Sequence, residues 1–374
     1  MFQSENLSVL AEHFRSVSNY READVIVHTN KRWYMVSAYS AVHFLVDFAC
    51  AFLMFRSVAG TPDGYLCVLL YNFCAFAMQM PIGIIADVLN RNYLFAIIGC
   101  ILIGAAYCLT TIPIAAVLII GIGNAMFHIG GGIDVLNISE KKLGALGVFV
   151  SPGAFGVYLG TMLGRGSGFP AFFFPLALIA AAGFIFAAYK AQRGMYPPNA
   201  ACSLKGVDSG HIITAVSCLF LVVCLRSFVG LALDYSWKGI GYWGAALICA
   251  VVFGKTIGGF AADRFGLRRT AIFSLGAAAL LFLFPGVPLM GVTAVLLFNM
   301  TMPLTLWAMA KIFPSAKGFA FGVLTFGLFL GFLPVYLGIE VLADAFWLFS
   351  ILTAASLALL LTGFRRANLS ITHD

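Results

Sequence analysis

The segment Gly259-Phe260-Ala261-Ala262-Asp263-Arg264-Phe265-Gly266-Leu267-Arg268-Arg269 decides the fold, because an imperfect copy of it lies in the first half of the chain. The copy reads Gly83-Ile84-Ile85-Ala86-Asp87-Val88-Leu89-Asn90-Arg91, and its acidic residue precedes that of the second copy by 176 residues (263 minus 87). Each copy directly follows a long apolar run. A duplicated loop that is first acidic and then basic indicates a chain built from two related halves.

The composition places these halves in a membrane. Hydrophobic residues make up 61% of the 374 residues and charged residues only 10%, whereas charged residues make up about 25% of ordinary soluble domains. A helix needs about 20 mainly apolar residues to cross a bilayer. Twelve windows approach or meet this length: Trp33–Phe55, Tyr65–Asp87, Tyr93–Thr111, Ile114–Leu136, Leu143–Leu163, Phe169–Tyr189, Ile212–Leu233, Tyr242–Ala262, Thr270–Phe284, Val287–Ala310, Phe319–Ile339 and Ala345–Phe364.

The windows favour an all-α membrane protein with twelve transmembrane helices. Their continuous apolar character is typical of helices, since barrel strands alternate over about ten residues. The predicted organisation is a cytoplasmic tail (1–32), a first six-helix bundle (33–189), a cytoplasmic linker (190–210), a second six-helix bundle (211–364) and a cytoplasmic tail (365–374).

The net charge of +7 orients the chain. With the N-terminus in the cytoplasm, seventeen Lys and Arg residues lie on the cytoplasmic side, three lie outside and two within spans. Such asymmetry follows the positive-inside rule and predicts a multi-pass protein of the plasma (inner) membrane with both termini cytoplasmic. The basic excess therefore requires no nucleic acid. Because no phosphate-binding glycine–lysine loop is present, we expect no nucleotide either.

The duplication extends beyond the loops. Gly147 and Gly156 flank Pro152 in the fifth window, and Gly322 and Gly331 have the same separation in the eleventh, 175 residues later (322 minus 147). Small residues at such spacing let helices approach closely.

These motifs resemble the major facilitator superfamily over essentially the whole chain. Its signature between spans two and three is Gly-x-Leu-Ala-Asp-Arg-x-Gly-Arg-Arg, which the second copy matches well and the first copy only partly. The resemblance implies the major facilitator fold, with two pseudo-symmetric six-helix bundles.

Two segments are locally similar to fosmidomycin-resistance-type efflux proteins. One is His43-Phe44-Leu45-Val46-Asp47, and the other is Gly121-Ile122-Gly123-Asn124-Ala125-Met126-Phe127-His128. The chain departs from that group at Ile129-Gly130, where a proline and a glutamate are expected. The Gly147–Gly156 segment also resembles the glycine–proline motif of antiporters, with serine in place of one glycine.

The acidic residues of the duplicated loops are candidates for gating. A carboxylate at a span's cytoplasmic end can lie at the N-terminus of a neighbouring helix, where the helix dipole stabilises it by roughly 0.3–1 kcal/mol. Asp87 and Asp263 fit this role, with Arg91, Arg264 and Arg268 as basic partners.

Ionisable groups inside the membrane are candidates for function because their insertion is costly. The resemblance implies that spans one, four, seven and ten line a central cavity. The candidate substrate- or proton-binding residues on these spans are His43, Asp47, Asn124, His128, Arg226, Asn299, Thr301, Thr305 and Trp307. We also expect Pro303 to interrupt the tenth helix, and Lys255 to support the cytoplasmic gate rather than the cavity.

Two of these residues receive specific roles. Asp47, flanked by His43, is the candidate proton carrier because burial disfavours the charged form of a carboxylate. Arg226 is the candidate anchor for an anionic group, since guanidinium binds carboxylate or phosphate in a bidentate fork. A structural ion pair between Asp47 and Arg226 is the alternative. His128 is equally compatible with function and with a simple bond to a neighbouring carbonyl.

The sequence therefore predicts a secondary active transporter that works by alternating access. It would move a small, anionic or amphiphilic solute by proton-coupled efflux, as a monomer, with no cofactor beyond the proton gradient. Proton-coupled uptake of a small organic acid is the alternative within this class. A polytopic enzyme acting on lipids is the alternative of another class, although no cluster of acids, histidines or metal ligands near one membrane interface supports it.

Overall fold

The computed structural model describes residues 32–139, 142–166, 168–191, 209–339 and 345–369. Eleven helices in these ranges are long and apolar enough to cross a membrane, and a twelfth, α9, has 15 residues. The helices are α1 (Arg32–Val58), α2 (Gly64–Leu89), α3 (Asn92–Leu109), α4 (Pro113–Ile138), α5 (Gly144–Arg165), α6 (Phe173–Lys190), α7 (Gly210–Ala232), α8 (Trp243–Phe265), α9 (Leu267–Leu281), α10 (Pro288–Ile312), α11 (Lys317–Tyr336) and α12 (Phe346–Arg366).

The predicted helices are confirmed in type and order, and the short α9 corresponds to the short ninth window. Most of the predicted tails and of the linker 190–210 lies outside the described residues. The division of the chain at that linker therefore stays a prediction.

Several of the described helices depart from regular α geometry, and α3 ends in a 3₁₀ turn at Tyr107–Leu109. A π-helical turn ends α1 at Met54–Val58, and another lies inside α2 at Phe73–Ala77. Ser151 separates the two parts of α5. In α10, one helix ends at Asn299 and the next begins at Met302, which confirms the interruption expected at Pro303. Pro is tolerated there because the first turn of a helix needs no N–H donor.

The helices of the two halves pack in corresponding ways. In the first half α3 packs against α4 and α6, and in the second half α9 packs against α10 and α12. Between the halves, α2 packs on α11 and α5 packs on α8. The pattern repeats on both sides, as expected for a two-fold repeated chain.

The glycines at the 175-residue offset hold equivalent contacts. A Cβ on Gly147 would lie against the backbone of Lys255 in α8, and one on Gly322 would lie against Met80 in α2. The paired helices therefore approach backbone to backbone at both interfaces, which confirms the packing role expected for these small residues.

Both loops begin with a residue of positive φ. Asn90 ends α2 in the left-handed region with φ 51°, and Gly266 ends α8 with φ 85°. The two residues are 176 positions apart, the offset of the acidic residues. Asn90 has ψ 42° and Gly266 has ψ 158°, so the two loops share a positive φ at the equivalent position but differ in ψ. Asn is among the few residues other than Gly that adopt the left-handed conformation at low cost, and the extended ψ of Gly266 at positive φ is accessible to Gly alone.

Candidate functional site

The two loop carboxylates each cap a helix of the opposite half. The Asp263 carboxylate of α8 accepts hydrogen bonds from the backbone N–H groups of Leu143 and Gly144, at 2.6 and 2.8 Å. These donors belong to the first turn of α5, where the helix dipole also favours a negative charge. The contact joins the second half to the first.

Asp87 makes the corresponding contact in the other direction. Its carboxylate at the end of α2 accepts hydrogen bonds from the N–H groups of Gly318 and Phe319 in the first turn of α11, each at 2.8 Å. Asp87 is only 4% exposed. The two caps close the same end of the molecule, which is called the basic face below because Arg91 and Arg264–Arg269 lie there. The other end is called the opposite face.

The predicted basic partners do not form ion pairs with these carboxylates. Among the described residues, no nitrogen of Arg91, Arg264 or Arg268 lies within 4.0 Å of an oxygen of Asp87 or Asp263. The carboxylates therefore lie at helix N-termini, as expected, without contact to the arginines, and a gating role of the arginines stays a prediction.

Above these caps lies a central cavity between the halves. It consists of two adjoining spaces of about 550 and 510 Å³. Residues that line both spaces include Asp47, Phe76, His128, Val157, Lys255, Met302 and Leu328. The larger space extends towards the opposite face as far as Ala59 and Leu231.

A second pair of contacts lies at the opposite face. Tyr65 of α2 and Tyr336 of α11 stack with ring centroids 4.2 Å apart. Each hydroxyl donates a hydrogen bond to the other residue's backbone carbonyl, at 2.8 and 2.9 Å. Both bonds are exposed, so they contribute less than the buried caps at the basic face.

Three side chains of the first half converge on the cavity. His43 and His128 place their Nε2 atoms 2.9 Å apart. Asp47 lies 3.2 Å from the first of these nitrogens and 3.8 Å from the second. Asn124 donates a hydrogen bond to the same carboxylate at 3.2 Å. The sequence spacing of four residues in α1 predicted that His43 and Asp47 share a face, but it did not predict that His128 joins them.

The two imidazoles face carbonyl oxygens on their other side. Nδ1 of His43 lies 2.7 Å from the carbonyl oxygen of Phe149, and Nδ1 of His128 lies 2.9 Å from that of Asn124. A carbonyl oxygen only accepts, so both Nδ1 atoms must carry hydrogen. In the neutral ring the Nε2 atom is then a bare acceptor. Three acceptor groups therefore point at one another.

The second half contributes two cations to the same cavity. Nη1 of Arg226 donates to Oγ1 of Thr305 at 3.3 Å, and Nζ of Lys255 donates to the carbonyl oxygen of Val150 at 3.3 Å. Within the described part of the chain, no carboxylate oxygen lies within 4.0 Å of either cation. The alternative of a contact ion pair between Asp47 and Arg226 is therefore not realised.

Lys255 corrects one expectation from the sequence. It was expected to support the gate at the basic face, whereas it lines both spaces of the cavity. Sequence reasoning also missed Tyr71 and Gln79, which line one space each. Gln79 is fully buried, and its Oε1 has no hydrogen-bond partner among the described atoms.

The remaining candidates are dispersed along α10. Asn299 lines the larger space, and Thr305 accepts the bond from Arg226. Thr301 is buried and bonds to the carbonyl oxygen of Phe298 within its own helix. Trp307 does not line the cavity; it lies nearer the basic face, with Nζ of Lys311 5.3 Å from its ring centroid.

Comparison with known proteins places this geometry in a known fold. No protein-family description matches the sequence, and no curated relative is found. The structure is similar to that of the major facilitator superfamily transporter FucP in its outward conformation, with a TM-score of 0.65 and 14% identity over 89% of this chain and 99% of FucP. A second structure of FucP, the E. coli fucose:proton symporter, gives a TM-score of 0.60 and 14% identity over 88% and 98%.

A human protein is equally similar. The organic anion transporter MFSD10 (TETRAN) gives a TM-score of 0.65 and 16% identity over 88% of this chain and 99% of that chain. The chain therefore has the major facilitator fold, as the duplicated loops predicted. The local similarity to fosmidomycin-resistance-type efflux proteins stays a prediction.

Proposed function

We propose that the protein is a secondary transporter that carries small organic anions by alternating access. The observation that carries the proposal is the presence of two cations, Arg226 and Lys255, in the cavity wall with no carboxylate oxygen of the described residues within 4.0 Å. A cation in a region of low dielectric constant is costly unless an opposite charge offsets it. An anion bound between the two halves would supply that charge.

The size and lining of the cavity support a modest, partly apolar solute. Each of its two spaces, of about 550 and 510 Å³, is in the range of about 300–1,000 Å³ that small-molecule sites occupy. Around the two cations lie apolar side chains, among them Phe76, Met302 and Phe332. A cationic anchor beside apolar walls favours an anion with a hydrocarbon body over a neutral, fully hydroxylated solute.

The structure further supports an outward-facing state under the proposed orientation. The positive-inside rule assigns the basic face to the cytoplasm of a plasma (inner) membrane. The two carboxylate caps would then close the cytoplasmic end, while the larger space extends outwards. The similarity to FucP in its outward conformation supports the same assignment.

Binding measurements on the purified protein test the anion preference. We expect phenylphosphonate, but not the neutral sugar L-fucose, to raise the melting temperature, because ligands stabilise the state that binds them. Arg226→Gln should weaken phenylphosphonate binding by roughly 10- to 100-fold, since a charged hydrogen bond contributes about 1.5–3 kcal/mol. Arg56→Gln is the matched control, because Arg56 is exposed and bonds only to the carbonyl oxygen of Gly166 among the described residues. Stabilisation by L-fucose alone would overturn the proposal.

Proton coupling and direction are proposed from the sequence alone. We propose proton-driven efflux, with uptake symport as the alternative. In proteoliposomes loaded with labelled phenylphosphonate, an antiporter should expel the label when the outside is acidified, whereas a symporter should retain it. Counterflow against excess unlabelled anion separates either carrier from a channel, because a channel lets the label equilibrate but does not concentrate it transiently inside.

A further inference from the structure

The cluster of His43, Asp47 and His128 contains more acceptors than its neighbours can satisfy. Both imidazoles donate their Nδ1 hydrogens to backbone carbonyls, so each neutral ring presents a bare Nε2 lone pair. The two Nε2 atoms lie 2.9 Å apart, and they face the carboxylate of Asp47. The donors among the described neighbours are few, since Asn124 reaches only the carboxylate and the thiol of Cys50. A positive centre between the three groups would remove the mutual repulsion.

We propose that these three residues bind a divalent transition-metal ion, and that the ion enters the cavity as a complex with a multiply charged organic anion. One donor atom from each residue lies within 4.8 Å of the others. Two ligands at about 2.1 Å from one ion are about 3.0 Å apart at a right angle and about 3.4 Å apart in a tetrahedron. The two nitrogens are 2.9 Å apart, and they lie 3.2 and 3.8 Å from different oxygens of the Asp47 carboxylate, so both carboxylate oxygens are close to the position of the ion.

The surroundings of the ligands are those of a metal site. A metal-binding histidine commonly donates its other ring N–H to a carbonyl or carboxylate, which fixes the ring and its tautomer. Both histidines here do so. Two imidazoles and one carboxylate suit borderline ions such as Zn²⁺, Co²⁺ or Ni²⁺ better than Mg²⁺ or Ca²⁺, which prefer oxygen.

Gly153 leaves the space in which the ion would lie. A Cβ at this position would lie against the carboxylate oxygen of Asp47 and against Nε2 of His43. The glycine therefore keeps the ligand atoms accessible from α5. A methyl group there offers a way to block the site without removing any ligand.

The accompanying anion follows from the charge of the cavity. A bare dication beside Arg226 and Lys255 would meet two further positive charges and only one carboxylate, that of Asp47. An anion such as citrate offsets this excess, and it presents donors to both the ion and the two cations. This part of the inference rests on the proposed anion site, whereas the metal ligands themselves belong to the first half alone.

Visible absorption of Co²⁺ tests the metal site in the purified full-length chain, after removal of any histidine tag. We expect the wild type to bind one Co²⁺ with the d–d bands of a low-coordinate nitrogen-ligated ion, and Zn²⁺ to displace it. Asp47→Asn and His128→Gln should each weaken binding at least 10-fold. His211→Asn is the matched control, because His211 is exposed and lies outside the cluster. Bands that survive His128→Gln, or no bound Co²⁺ in the wild type, would overturn the site. If the wild type binds no Co²⁺, an extra proton shared by the Nε2 atoms of His43 and His128 removes the repulsion instead.

A second pair of variants separates blocking from ligand loss. Gly153→Ala should abolish the Co²⁺ bands, whereas Gly183→Ala should leave them unchanged, because no atom lies within 4 Å of the position of its Cβ. A phenylphosphonate-dependent rise in melting temperature, retained in Gly153→Ala, shows that the variant is folded. Unchanged bands in Gly153→Ala would place the bound cobalt elsewhere and contradict the proposal.

Titration with Co²⁺ citrate distinguishes this inference from the proposed function. Citrate should tighten Co²⁺ binding to the wild type. In Arg226→Gln, citrate should no longer tighten Co²⁺ binding, whereas the absorption bands measured with Co²⁺ in the absence of citrate should be unchanged. If Co²⁺ fails to bind but phenylphosphonate binding still depends on Arg226, the metal site is wrong and the anion carrier stands. If phenylphosphonate fails and Co²⁺ binds, the anion carrier is wrong and the metal site stands.

Discussion

Removing the charge of Asp263 should open the basic face. In Asp263→Asn the side chain keeps one acceptor oxygen, so one of the two N–H groups at the start of α5 loses its partner and faces an NH₂ group instead. One hydrogen bond to a charged group contributes about 1.5–3 kcal/mol, and the helix-dipole term adds about 0.3–1 kcal/mol. Because Asp263 is partly exposed, we expect a total loss near the lower end of these ranges, about 2 kcal/mol. This loss corresponds to a ~30-fold shift of the equilibrium towards the open form.

Asp87→Asn should have the larger effect. Its carboxylate is 4% exposed and makes the equivalent pair of bonds to α11. Less water can replace the lost partner here. We therefore expect the closed form to lose about 3 kcal/mol or more of its free-energy advantage over the open form, near the upper end for a charged hydrogen bond. A larger shift towards the open form in Asp87→Asn than in Asp263→Asn would show that the contribution of each carboxylate depends on its burial. Equal shifts would show that it depends on the loop motif alone.

Distances between spin labels measure the shift. Nitroxides at Lys142→Cys and Phe265→Cys would report the separation of α5 from α8, in a background in which Cys108 and Cys202 are serine. The unsubstituted carboxylate should give one short distance, and Asp263→Asn should add a longer one. Asp234→Asn is the matched control, since Asp234 is exposed and pairs only with Lys238 among the described residues. An unchanged distance distribution in Asp263→Asn would refute the capping role.

Three further effects are expected at other positions of the two halves. Tyr65→Phe and Tyr336→Phe each remove one exposed hydrogen bond, about 0.5 kcal/mol, so only the double variant should widen label distances across the opposite face; an equal effect of either single variant would contradict this. Gly83→Ala inserts a methyl group where α2 touches α11 and should cost about 1–3 kcal/mol, seen as a lower melting temperature that Gly183→Ala does not share. Asn90→Ala should cost about 1 kcal/mol through its left-handed conformation, whereas Asn90→Gly should be near neutral in the same assay; equal melting temperatures for the two would show that backbone strain is not the cause.

The sequence predicted the features that repeat. Asp87 and Asp263 keep the same distance from the turn that ends their helix, and Gly147 and Gly322 meet the facing helix at equivalent positions. These features can be recognised in the sequence because each depends on a single residue type at one position, such as a glycine where two helices touch. Their recurrence at a constant offset predicted a chain of two related halves, whereas the pairing of α2 with α11 and of α5 with α8 was seen only in the structure.

The direction of side chains around a helix was harder to predict. Lys255 lies eight residues before Asp263, which is about 12 Å along the axis at 1.5 Å per residue. The spacing therefore gave its depth but not its orientation. In a soluble helix the polar face shows which side is exposed, whereas a span that is apolar on all sides leaves this to packing. For the same reason the sequence did not show that His128 would reach His43 while also bonding to the carbonyl oxygen of Asn124.

The two halves differ in the residues that they contribute to the cavity. Gln79 in α2 and Lys255 in α8 occupy positions 176 residues apart, the offset of the loops, yet one is neutral and the other is a cation. The first half supplies the acceptors of His43 and Asp47, and the second half supplies the charges of Arg226 and Lys255. A ligand that contacts only one half binds equally well in every arrangement of the two, and so shifts no equilibrium. On the proposed mechanism, a metal–anion complex contacts both halves at once. Its binding therefore depends on their separation, as alternating access requires.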